Sequence, residues 1–119
     1  EVVPSNVFSN PSDLPISLRW IAIMSERVNC DLAASTGVHD GVALIKQILA
    51  GADAVQVVSA LYQQGKERIG SMLETLEEWM AQKGFESLSD FRGKMCQAAS
   101  SNPAAYERMQ FMRYFGGES

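Results

Sequence analysis

The chain has 119 residues, 46% of them hydrophobic, and its 14 acidic and 10 basic side chains give a formal charge of -4. That size and apolar content suit one globular domain with a buried core and exclude collagen-like or low-complexity chains. The acidic balance argues against a nucleic-acid backbone or an anionic membrane as partner, because either would want a basic face.

No apolar run reaches the roughly 18–20 residues of a membrane span, and the N-terminus lacks a charged start followed by an apolar signal core, so a cytoplasmic location is expected. Cys30 and Cys96 lie far apart without CxxC spacing, which fits two reduced thiols better than a metal or redox pair.

Residues 1–16, EVVPSNVFSNPSDLPI, hold three prolines among serines and asparagines and read as an extended lead-in. Ser17 is a candidate cap for a helix over about 18–28, where Leu18, Ile21 and Ala22 share a side. The stretch CDLAAS is too short for a helix and reads as a buried strand running into a small turn, Ser35, Thr36, Gly37 and Val38. Asp40 caps a second helix whose apolar positions are Val42, Leu44, Ile45, Ile48 and Leu49, and Gly51 ends it.

DAVQVVSAL then reads as a second buried strand, about 54–58, apolar on both faces as in a covered parallel sheet. The strongest periodicity follows in QQGKERIGSMLETLEEWMAQKG. There Ile69, Met72, Leu73, Leu76, Trp79 and Met80 recur at three- and four-residue steps opposite Lys66, Glu67, Glu74, Glu77 and Glu78, and Gly84 ends the run. In the loop FESLSDFRGKM, Ser89 is a candidate cap. A last helix over PAAYERMQFMRYF opens at Asn102 and Pro103 and stops at Gly116 and Gly117.

The helix–strand–helix–strand–helix order points to a parallel α/β arrangement with right-handed crossovers. The segmentation is a lead-in at 1–16, the αβ units at 17–84, and a tail with a terminal helix at 85–119. Two parallel strands do not make a stable sheet unaided, so the chain reads as part of something larger, completed by further strands or by a second copy.

Several residues carry both a plain and a functional reading. Gly37 either frees a tight turn or lets a ligand approach the backbone. Ser59 is either a hydrogen-bonded strand-end serine or an anion ligand. His39, with no second histidine nearby, reads as a solvated loop residue rather than a general base. Asp40 reads as a helix cap, and the glutamates of the long helix form a solvated face without metal-ligand spacing.

The pieces AASTGV, ILAGA, VQVVSAL and SLSDFRGK, in that order, resemble the C-terminal part of the class 1 dihydroorotate dehydrogenase family. The resemblance implies the C-terminal portion of a (β/α)8 TIM barrel, with residues 31–35 as its seventh strand and 54–58 as its eighth. It also implies flavin mononucleotide (FMN) as cofactor and, in the complete enzyme, oxidation of dihydroorotate to orotate in pyrimidine biosynthesis.

Barrels of this kind commonly seat a phosphate between the loops after strands seven and eight. The resemblance therefore assigns the flavin phosphate to Ser35, Thr36, Gly37, Val38, Ser59 and Ala60. Two positions depart from the family: Thr36 stands where the first of two glycines is common, and Val58 stands where some members have a glycine.

The family's catalytic cysteine, lysine and asparagines come from earlier strands. Cys30 lies at the wrong end of its strand for a barrel active site, so no catalytic and no metal-binding residue is assigned, and the segment alone is expected to be inactive. The alternatives are a barrel segment holding another phosphorylated ligand without redox chemistry, and an assembly module whose apolar faces await a partner.

Overall fold

The computed structural model describes residues 8–96. The chain first makes a single 3-10 turn at Pro11–Asp13 and then α1, Leu14–Met24. The strand β1, Ala33–Ala34, leads to α2, Gly41–Ala50, and β2, Ala54–Val55, leads to α3, Ser59–Gln64. The long helix α4, Glu67–Lys83, and a second 3-10 turn at Leu88–Asp90 complete the described part.

The two strands pair in parallel, Ala33 with Ala54 and Ala34 with Val55, and the Gln56 N–H extends the ladder to the Ala34 carbonyl at 2.8 Å. Both regions expected to be strands are therefore paired, but over two residues each. The expected last helix, 103–115, lies outside the described residues.

Helix α1 begins at Leu14, four residues before the sequence suggests, because Pro15 occupies its second position, where the missing N–H costs no intrahelical bond. Ser17 is consequently inside the helix and is not its cap. Its hydroxyl donates to the Ser35 carbonyl at 2.9 Å and accepts from Gln47 Nε2 at 2.8 Å. Gln47, on α2, is fully buried, so its amide is a fixed strut from α2 through α1 to the end of β1. Removing the hydroxyl with Ser17→Ala leaves a buried amide and a carbonyl short of a partner and should cost about 1–3 kcal/mol, read as a lowered urea midpoint.

The ends of α2 match the sequence expectation. The Asp40 carboxylate accepts the Ala43 N–H at 2.8 Å, and Gly51 exits at φ +124. The orphan carbonyls of its last turn are met by the tail, where the Gly93 N–H reaches Ile48 O at 3.0 Å and the Met95 N–H reaches Leu49 O at 2.8 Å. The DFRGK stretch is thus a cap laid across a neighbouring helix end.

Ser87 rather than Ser89 opens the turn beneath that tail. The Asp90 carboxylate accepts the N–H groups of Glu86 and Ser87 at 2.8 and 3.0 Å, and these two bonds hold its pKa below the usual 3.8.

The core has two parts. One gathers Ile45, Ile48, Leu76 and Phe91, with the rings of Trp79 and Phe85 packed at 4.8 and 5.4 Å from Phe91. The other joins Val38, Ala43 and Met72 next to the strand ends. On α4, Met72 and Leu76 are buried as expected, whereas Ile69 and Leu73 are 43% and 49% exposed. Those two belong to the outer face, one helical step away from the stripe that packs.

Candidate functional site

Three backbone segments converge at the C-terminal ends of the strands: the turn after β1, the loop after β2, and residues 8–13 of the lead-in. Between them lies a cleft of about 500 Å³ lined by Phe8, Ser9, Asn10, Asp13, Ser35, Thr36, Gly37, Val38, Gln56, Val58 and Ser59. Five of the six residues assigned from sequence line this one cleft. The sixth, Ala60, is fully buried and does not reach it. Ser59 is not a strand-end residue, because β2 stops at Val55 and Ser59 begins α3.

The turn after β1 has an unusual backbone. Thr36 and Gly37 both have positive φ, +78 and +83, and Thr36 is the sole non-glycine with positive φ among the described residues. A β-branched residue is disfavoured there, so the conformation is imposed by its surroundings. Ser17 pins the preceding carbonyl, and Gly37 lies so close to the start of α1 that a Cβ would come within 2.5 Å of the Leu14 nitrogen. Substituting Thr36→Gly relieves a left-handed cost of about 1–2 kcal/mol against an added chain-entropy cost of about 0.5–1. It should raise stability by up to about 1.5 kcal/mol, seen as a higher urea midpoint.

Ser9 ties the two strand-end loops together. Its N–H donates to Ser59 Oγ at 2.8 Å, its Oγ accepts the Gly37 N–H at 3.2 Å, and the same Oγ lies 3.1 Å from His39 Nε2. Gly37 and Ser59 therefore flank a single residue. His39 is 7% exposed and not a solvated loop residue, and its carbonyl accepts Arg68 Nε of α4 at 2.9 Å. Sequence reasoning misses Ser9 and His39 as site residues, since nothing local signals a contact across 30 or 50 positions.

The positive end of the α2 dipole is already met by the Asp40 carboxylate, and the hydroxyl-bearing residues Ser9, Ser35, Thr36 and Ser59 line the cleft. Among the described residues no lysine or arginine lines it, and the one carboxylate that does, Asp13, is engaged by the Asn10 N–H at 2.8 Å. Val58 lines the rim at 59% exposure. Among the described residues no cluster could hold a metal ion, and no helix is long and apolar enough to cross a membrane.

No family profile matches the chain. A protein of Streptococcus uberis named dihydroorotate dehydrogenase A (fumarate) is 34% identical over 83 residues, which cover 68% of this chain and 27% of that protein. Proteins of the same name from Streptococcus agalactiae and Enterococcus faecalis are 35% and 31% identical over the same shares. The chain thus spans about a quarter of the length of the curated relatives it matches, and over that shared stretch it is a homologue of the class 1 dihydroorotate dehydrogenases.

Proposed function

We propose that the chain is the C-terminal segment of an FMN-dependent, dihydroorotate dehydrogenase-like oxidoreductase built on a (β/α)8 barrel, and that it supplies the phosphate end of the flavin site. The observation that carries this reading is the convergence of Gly37 and Ser59 on one cleft at the ends of two parallel strands, in a chain homologous to enzymes of that name.

The residues present fit a phosphate. The hydroxyls of Ser9, Ser35, Thr36 and Ser59 are short, and Gly37, its N–H held by Ser9 Oγ, presents no side chain against an approaching anion. Amides and hydroxyls of this kind hold an oxyanion without a cationic side chain. Ser35, Thr36, Gly37, Val38 and Ser59 would surround the phosphate, while Ala60 would pack behind them. When bound, the flavin would supply the hydride acceptor for oxidation of dihydroorotate to orotate. The described residues would bind and orient, and no catalytic role is assigned to any of them.

The remaining barrel strands, or a second copy of the chain, would complete the two-stranded sheet, which falls short of the three or more strands that a stable sheet requires. The apolar rim of Phe8, Val58 and Tyr62, exposed by 45%, 59% and 77%, fits burial against such a partner. Absorbance in the flavin bands of the protein isolated from its own cells, with conversion of dihydroorotate to orotate by the same preparation, is the expected result. A colourless protein inert toward dihydroorotate would refute the reading.

A further inference from the structure

The Ser9 hydroxyl can offer the cleft either a proton or a lone pair, and its neighbours decide which. A serine hydroxyl has one proton and two lone pairs. One lone pair takes the Gly37 N–H, and the other neighbour is His39 Nε2 at 3.1 Å. If Ser9 donates to an unprotonated Nε2, its only proton is spent, and what remains toward the cleft is a lone pair that repels an anion. If instead Nε2 carries the proton and donates to Ser9 Oγ, both lone pairs are filled and the hydroxyl proton is free for the cleft.

Ser59 is arranged in the same way, its oxygen accepting the Ser9 N–H while its own proton is left for another acceptor. His39 as a residue is nine-tenths buried, so bulk water does not readily replace either arrangement.

We propose that His39 is a positioning residue for the ligand of this cleft: donating from Nε2 to Ser9 Oγ, it turns the Ser9 hydroxyl proton toward an oxyanion such as a phosphate monoester. This rests on the reading of the cleft as a phosphate site and adds to it a ligand-selected protonation of one histidine nitrogen. Inorganic phosphate favours the arrangement with the proton on Nε2, because only that arrangement adds the Ser9 hydroxyl to its donors. His39 touches no ligand itself and acts through Ser9.

The test uses the protein that carries this segment, as isolated from its own cells, and inorganic phosphate. In long-range 1H–15N spectra of the imidazole, saturating phosphate should move the His39 signals toward the Nε2-protonated pattern. By titration, Ser9→Ala should weaken phosphate binding on the order of ten-fold, the value of one hydrogen bond to a charged group, and His39→Phe, which leaves the Ser9 proton present but no longer oriented, by a smaller factor of about five-fold. The double variant should be no weaker than Ser9→Ala alone, since the two act as a unit. His39→Gln, which keeps a donor at the position of Nε2, should restore binding to within about three-fold.

Phosphate binding with unchanged imidazole signals, or with undiminished affinity in His39→Phe, overturns the positioning role and leaves the phosphate site standing. The absence of saturable phosphate binding to the unaltered protein overturns both.

Discussion

Replacing Gly37 by alanine is expected to cost about 2–5 kcal/mol and to abolish ligand binding at the cleft. The residue has φ +83, where a side chain costs about 1–2 kcal/mol. The new Cβ would also meet Leu14 N at 2.5 Å, Leu14 Cα at 2.8 Å and the Asp13 carbonyl carbon at 3.0 Å, all of them backbone that cannot rotate aside. Overpacking of that kind adds about 1–3 kcal/mol. Relieving it would push the start of α1 away from the turn and carry Asp13 out of the cleft lining.

Gly84→Ala is the internal comparison. Gly84 has φ +78, but a Cβ added there would have nothing within 4 Å, so the substitution should cost only the conformational part, about 1–2 kcal/mol. Urea midpoints of the two variants separate the contributions, and equal losses would show that the approach to α1 is looser than described.

The second large effect lies away from the cleft. Phe91→Ala should lower stability by about 3–5 kcal/mol, because the ring is fully buried and stacks with Phe85 while meeting Trp79 edge-on. Its loss also frees the tail that caps α2 through Gly93 and Met95, so the destabilisation should spread to the Gly51 exit. Thermal unfolding measures the total, and hydrogen exchange at the Gly93 and Met95 amides reports whether the cap is released with it. Against a usual folding margin of about 5–15 kcal/mol, a change of this size decides whether the segment holds its shape.

The features legible in the sequence are those written locally. The Asp40 cap and the Gly51 and Gly84 exits each depend on residues within a turn or two of one another, and each stands in the structure, whereas of the α4 stripe Met72 and Leu76 are buried and Ile69 and Leu73 face outward. Helix α3 gives no such signal, because SALYQQ is only six residues long and directly follows a run that favours strand. The early start of α1 is hidden by Pro15, which reads as a breaker yet is tolerated in a first turn.

At the site, the turn residues after β1 stand out because small and hydroxyl-bearing side chains beside a glycine mark a close backbone approach. Ser9, 50 positions from Ser59, and the burial of His39 follow from how the lead-in folds back, and no local pattern encodes that. Thr36 shows the opposite case. The resemblance places a glycine there in many relatives, and the backbone keeps the glycine-like φ although the side chain opposes it.

Recognition of a flavin phosphate by the cleft is measured most directly by comparing FMN with riboflavin, which shares the ring and ribityl chain but lacks the phosphate. The comparison is made by fluorescence-quenching titrations of the protein carrying this segment. FMN should bind at least about ten-fold tighter, and Gly37→Ala should erase the difference. Equal affinity for the two, or a preference for FMN that survives Gly37→Ala, would contradict a phosphate seat between the turn after β1 and Ser59.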